Sequence, residues 1–283
     1  MEVQKVGVVG AGTMGNGIAQ VFAVAGYDVV MRDIKDEFVQ RGLATIGKNL
    51  DRMVSRNKLS AEAKGAALAR ITPTVDLAAF ADRDLIIEAA LEVVELKLQL
   101  FRELDGVAKQ GAILATNTSS ISVTKIAAAT KRPDRVVGMH FFNPVPVMQL
   151  VEVVRALQTA DEVVATVEAV SAKVGKTPHT VKDSFGFVVN RVLIPMVNEA
   201  VNCLYEGLTQ PEDIDEVMKL GANHPMGPLA LCDLIGLDIV LNVMETLYQG
   251  FEDPKYRPSP LLKQMVDAGY LGRKTGRGFF KYT

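Results

Sequence analysis

Residues 6–15 read VGVVGAGTMG, a valine-rich run closed by Gly10, Gly12 and Gly15. A chain with 23 glycines offers chance matches to G-x-G-x-x-G, so the surroundings of the motif carry the argument. It directly follows a predicted strand over Lys5–Val9 and opens a helical run at 18–24. Asp33 then ends the next apolar run, 29–32, and lies 21 residues beyond Gly12. Strand, glycine turn, helix, strand and acid in that order make a dinucleotide-binding unit. Gly10 permits the tight turn, Gly12 lets the backbone approach a pyrophosphate, and Gly15 allows close helix–strand packing. The helix N-terminus, with Ala11, Thr13 and Met14 in its turn, offers N–H groups and positive potential to phosphates. Asp33 can accept from ribose hydroxyls and would repel a 2′-phosphate, which favours NAD over NADP, although Arg32 and Lys35 stand close by.

Further short apolar runs at 85–89, 113–116 and 136–139 read as buried strands. Between them lie helical spacings such as Leu96, Leu100 and Leu104. Strands alternating with helices predict a mostly parallel sheet covered on both faces. After about residue 185 the alternation stops. Helical segments are expected at 185–207, 211–220, 229–248 and 259–268, separated by Gly- and Pro-rich turns. The expected fold class is therefore α/β, a Rossmann-type doubly wound sheet over residues 1–184, followed by an all-helical C-terminal domain over 185–283.

Bulk properties exclude several classes of function. A net charge of −2 with no basic tract gives no nucleic-acid surface. Cys203 and Cys232 are the only cysteines and form no C-x-x-C, so neither a disulfide framework nor a zinc site is expected and no metal is assigned. Without a signal-peptide pattern or a membrane-length apolar stretch, the expectation is a cytoplasmic protein.

Three histidines are available as a general base. His140, in GMHFFNPVP, follows a predicted strand and so falls where ligands bind such sheets. By position alone it could equally be a satisfied structural residue. His179 reads as a surface turn or short strand, and His224 as a loop residue. Glu152 stands inside the apolar run LVEVVR, where an unpaired carboxylate would be costly; an imidazole would serve as its partner. Asn117, Ser119 and Ser120 follow the strand at 113–116, either as site residues or as a turn cluster. Lys48, Arg52 and Arg56 share one face of a helix, suited to phosphates or simply to solvent.

The segments GAGTMGNGIAQ, NTSS, GMHFFNPVPVMQLVEVV, KDSFGFVVNR, MKLGANHPMGPLALCDLIGLD and GYLGRKTGRGFFKY resemble the 3-hydroxyacyl-CoA dehydrogenase family nearly from end to end. Within it the chain is most similar to the short bacterial branch that acts on 3-hydroxybutanoyl-CoA. The resemblance implies NAD-dependent, reversible oxidation of an (S)-3-hydroxyacyl-CoA to the 3-oxoacyl-CoA, probed with acetoacetyl-CoA in reverse. It implies His140 as general base, Glu152 as its orienting partner, and Ser119 and Asn190 on the substrate oxygen, in an active site between the domains. It also implies Glu92, Lys97, Asn117, Asn143 and Lys274 near the nicotinamide ribose, and Asn49 and Arg56, with Arg52 on the same stripe, near coenzyme A. A homodimer is expected, and the apolar face at 229–247 reads either as its interface or as internal core.

Two alternatives remain at this point: a dehydrogenase for L-gulonate or another 3-hydroxyacid, and a non-catalytic NAD-binding protein on the same fold. The first would turn over free acids. The second would be expected to lack part of the set His140, Glu152, Ser119 and Asn190, all of which are present.

Overall fold

The computed structural model describes residues 2–282, which divide into two compact units with the boundary between Ser184 and Phe185. The first unit is an eight-stranded sheet: β1 (Lys5–Val9), β2 (Asp28–Arg32), β3 (Ile71–Thr74), β4 (Leu85–Glu88), β5 (Ile113–Thr116), β6 (Val136–Phe141), β7 (Leu150–Arg155) and β8 (Thr177–Lys182). Its order is β3-β2-β1-β4-β5-β6-β7-β8. Every pairing is parallel except β6 with β7, which is antiparallel.

Six helices cross over between these strands: α1 (Thr13–Val24), α2 (Asp36–Ser55), α3 (Ala61–Ala69), α4 (Val94–Val107), α5 (Val123–Ala127) and α6 (Asp161–Lys173). All residues of β4, β5 and β6 are buried, as strands covered by helices on both faces must be. The chain reverses direction in the strand order between β1 and β4, which opens a crevice at their carboxyl ends.

The expected central strands are present with edges moved by one or two residues. The two edge strands were harder to foresee. β3 carries Pro73 and buries only Ile71, and β8 is partly exposed along its whole length, so neither has the apolar run of a covered strand.

The second unit is helical: α7 (Val189–Tyr205), α8 (Pro211–Ala222), α9 (Pro228–Ile235), α10 (Leu237–Phe251) and α11 (Pro260–Asp267). Its core gathers Ile194, Val197, Val201, Leu229, Val240 and Leu247. The single helix expected at 229–248 is two helices, because Gly236 adopts φ +105°, which ends α9 and starts α10. Two buried carboxylates pin this unit. Asp215 accepts from the N–H groups of Leu229 and Ala230, and Asp233 from those of Phe279 and Phe280 and from the Tyr282 hydroxyl.

Candidate active site

The glycine turn after β1 has one open position among closed ones. A Cβ on Gly15 would lie 1.8 Å from the Gly10 carbonyl oxygen, and Gly10 itself has φ +102°. At Gly12, by contrast, a Cβ would meet no atom within 4 Å, so the space above the α1 N-terminus is available to a ligand. No side chain caps that terminus and no acid lies in its first turn. Its N–H groups and positive end therefore suit an anion. A cavity of about 420 Å³ opens here, lined among others by Gly12, Thr13, Asn16, Arg41, Asn49 and Asn143. Asp33 is tied to Ala11, which lines the cavity: Oδ2 accepts from the Ala11 N–H and Oδ1 from that of Ile34, both at 2.7 Å. Arg32, the nearest cation in sequence, is turned away onto the Val75 carbonyl. This donor set fits NAD.

A second cluster stands at the ends of β4 and β5. Glu88, fully buried, accepts from Lys97 Nζ at 2.6 Å, the Ala90 N–H at 2.7 Å and the Thr116 hydroxyl at 2.7 Å. Lys97, 1 % exposed on α4, also reaches Glu92 at 3.3 Å. Glu92 Oε1 in turn accepts from the Thr118 hydroxyl at 2.5 Å, the Ser119 N–H at 2.9 Å, and the Ser120 N–H and hydroxyl at 3.1 and 3.0 Å. Burial alone would raise the Glu92 carboxyl. The Lys97 ammonium and the donors of Thr118, Ser119 and Ser120 outweigh it and bring the group below the usual carboxylate range. Asn117 bridges to β6, accepting from the Phe141 N–H at 2.9 Å. Beyond the loop, Asp183 holds the start of α5 through Ser122, Val123 and Thr124.

The third element comes from the antiparallel step. His140 on β6 and Glu152 on β7 are register partners, so their side chains leave the same face of the sheet as direct neighbours. His140 Nδ1 and Glu152 Oε2 are 2.7 Å apart, in surroundings that leave them 5 % and 2 % exposed. The Phe142 ring tilts against the imidazole at 4.5 Å. A carboxylate is an acceptor, so Nδ1 carries the proton of this bond. The loop that follows, 142–149, presents Asn143 to the cavity; Lys176 supports it from below by donating to the Val145 and Met148 carbonyls.

The other expected site residues are placed as follows. Lys48 and Arg52 are exposed on α2 and Arg56 is its C-cap, while Asn49 donates to the buried Gln20 at 3.3 Å. In the second unit, Asn190 is the second residue of α7, and Lys274 pairs with Asp238 at 2.5 Å. His179 is exposed on β8, in register with Glu152, whose carboxylate bonds His140. Sequence reasoning passed over Glu88, although it ends an apolar strand just as Asp33 follows one. It also passed over Lys176, which gives no local signal.

Fold and site together define a dinucleotide-dependent oxidoreductase with a buried His–Glu pair. The 3-hydroxyacyl-CoA dehydrogenase NAD-binding domain matches residues 5–184, and the 3-hydroxyacyl-CoA dehydrogenase C-terminal domain matches 186–282. A 3-hydroxybutyryl-CoA dehydrogenase of Bradyrhizobium diazoefficiens is 52 % identical over 99 % of this chain and 96 % of its own. That of Clostridioides difficile is 50 % identical, covering 98 % and 99 %. The crystal structure of the (S)-3-hydroxybutyryl-CoA dehydrogenase of Ralstonia eutropha superposes with a TM-score of 0.97 at 57 % identity, each chain covered completely. The chain belongs to the 3-hydroxyacyl-CoA dehydrogenase family, and its cofactor is NAD. No helix among the described residues is long and apolar enough to cross a membrane.

Proposed function

We propose that the chain interconverts (S)-3-hydroxybutanoyl-CoA and acetoacetyl-CoA, with His140 as the acid–base group. The observation that carries the reading is the buried 2.7 Å pairing of His140, near the carboxyl end of β6, with Glu152 on β7. In oxidation, His140 Nε2 takes the 3-hydroxyl proton as C3 becomes a carbonyl carbon, and Glu152 stabilises the resulting imidazolium. In reduction, the imidazolium returns that proton to the 3-oxygen. NAD, when bound, supplies the hydride acceptor. Ser119 and Asn190 hold the 3-oxygen, and Asn143, Asn117 and Lys274 act toward the nicotinamide ribose. The CoA portion of the substrate is assigned to Asn49, Arg52 and Arg56, the guanidinium groups facing its phosphates. Residues 185–283 are assigned as the substrate and dimerisation domain of a homodimer.

The support is physical as well as by likeness. The pair sits in a closed environment where a carboxylate fixes the tautomer of its imidazole, and the relatives that match over their full length are named for this reaction. The test follows NADH loss with acetoacetyl-CoA, free acetoacetate and longer 3-oxoacyl-CoAs side by side, in the parent and in His140→Gln. Gln can still donate to Glu152, so the fold is spared. Turnover in the variant should fall by about 10²- to 10⁴-fold with NADH binding retained. An active variant would overturn the base assignment, and equal rates with free acetoacetate would overturn the CoA ester.

A further inference from the structure

The glycine turn accounts for the first half of α1 and leaves Gln20, one turn beyond Asn16, unexplained. Gln20 is 1 % exposed and lies between the buried Ala19 and Val21. A carboxamide in such a place costs free energy unless it is hydrogen-bonded, and a methionine would fill the same volume without that cost. The two polar ends of this side chain have unequal partners. Nε2 faces the Met53 thioether at 3.6 Å, a weak acceptor. Oε1 accepts from Asn49 Nδ2 at 3.3 Å. Chemistry fixes this orientation. Turned over, the amide would set its oxygen against the sulfur lone pairs and its NH2 against that of Asn49.

Asn49 lines the cavity beside Asn16, Thr45 and Asn143. One Nδ2 hydrogen is held from behind by Gln20, which leaves Oδ1 and the other hydrogen for a ligand. Arg52 follows three residues on along α2 and Arg56, its C-cap, seven; both are exposed and share the Asn49 face. We infer that Gln20 is a positioning residue for substrate: it fixes the rotamer of Asn49, so that this amide meets the coenzyme A portion already ordered, beside the two guanidinium groups. The role rests on the assignment of Asn49 to coenzyme A made above. It gives the helix that opens at the dinucleotide turn a second task, exerted through its packing against α2.

The experiment compares two substrates at saturating NADH. One is acetoacetyl-CoA; the other is the acetoacetyl thioester of N-acetylcysteamine, which keeps the reacting group and lacks the nucleotide. The ratio of their kcat/KM values cancels losses common to both, including any harm to folding, to NADH binding or to His140. It is measured in the parent, Gln20→Met, Gln20→Glu, Asn49→Ala and Gln20→Met/Asn49→Ala. Gln20→Met retains the volume and loses the acceptor. Glutamate accepts from Asn49 whether ionised or protonated, so Gln20→Glu is the conservative variant.

The ratio should fall about fivefold in Gln20→Met and about tenfold in Asn49→Ala, and stay within about twofold of the parent in Gln20→Glu. Because Gln20 acts through Asn49, the double variant should fall no further than Asn49→Ala; independent effects would multiply to about fiftyfold. A parent-like ratio in Gln20→Met, a ratio in Gln20→Glu as low as in Gln20→Met, or multiplied losses in the double variant would overturn the role. If Gln20→Met does not fold, Gln20→Leu replaces it under the same outcomes. An unchanged ratio in Asn49→Ala overturns the coenzyme A assignment of Asn49 and the role of Gln20 with it. A lowered ratio there beside a parent-like Gln20→Met overturns the role of Gln20 alone. His140 and Glu152 are unchanged in every variant, so either failure is distinct from failure of His140→Gln to abolish turnover.

Discussion

The Lys176 ammonium donates to the Met148 carbonyl at 2.7 Å while 8 % of the lysine is exposed, and it also donates to the carbonyl of Val145. A buried cation thus staples the 142–149 loop to the turn before β8. Val145, in turn, packs onto α1 at Gly17, where a Cβ would come within 2.8 Å of it. Lys176→Met keeps the length of the side chain and removes both donors. It should cost about 1–3 kcal/mol in urea unfolding and weaken NADH binding through the displaced Asn143 wall, with kcat at saturating NADH least affected. Burial lowers the Lys176 pKa. Between that lowered value and 10.5 the unfolded chain binds more protons at this position, so its contribution to stability rises with pH across that window. Unfolding free energies measured on both sides of the window should show this rise in the parent and lose it in the variant.

Glu152→Gln leaves an oxygen to accept from Nδ1 but removes the charge that stabilises an imidazolium. We expect kcat to fall by about 10- to 10³-fold with the KM for acetoacetyl-CoA little changed, measured by steady-state NADH oxidation. A parallel rise in KM with unchanged kcat would mean that Glu152 only shapes the binding surface.

Gly12 and Gly15 should part company. Gly12 has φ −65° and open space at its Cβ, so Gly12→Val fits the fold and should shift stability by no more than about 0.5 kcal/mol. Its side chain would occupy the approach to the α1 N-terminus, and NADH affinity should drop at least about tenfold by fluorescence titration. Gly15→Ala would instead drive a methyl into the Gly10 carbonyl and should compromise folding itself, visible as a lowered Tm.

In the helical unit, Asp215 caps α9 through Leu229 and Ala230, and burial raises its carboxyl above the usual range despite those bonds. Between 3.8 and that raised value the folded protein binds more protons, so this group's contribution falls as pH climbs through the window. Asp215→Asn should remove that dependence while retaining an acceptor, and Asp215→Ala should cost about 1–2 kcal/mol by thermal or urea unfolding.

How far the sequence discloses these features depends on the range of each interaction. The dinucleotide turn is local: strand, glycines, helix and Asp33 follow one another within 33 residues, and all four are legible. Glu152 is legible as an acid that needs a partner, with an imidazole to serve, but the register that sets it opposite His140 is not. That facing depends on β7 turning antiparallel at a particular register, which no residue near either one announces. Lys97 is singled out by the family resemblance alone, since the apolar spacing of Leu96, Leu100 and Leu104 gives it no signal. That pattern marks α4 as a buried face, and the lysine sits on the same face as Leu100, Phe101 and Leu104. The edge strands β3 and β8 escape because an edge need not be apolar, and Gly236 divides a continuous helical pattern by its φ alone.

The reversed β6–β7 ladder has a consequence for how such a chain can diversify. Both members of the acid–base pair are drawn from adjacent strands of residues 1–184, the same unit that carries the glycine turn and Asp33. The proposed proton-transfer pair and the dinucleotide turn would therefore be inherited as one module. Exchange or drift of the helical half that spares Asn190 and Lys274 would leave the proposed His140–Glu152 pair and the dinucleotide turn intact. A library of grafted C-terminal halves would accordingly be expected to vary in substrate range far more than in cofactor or in pH response.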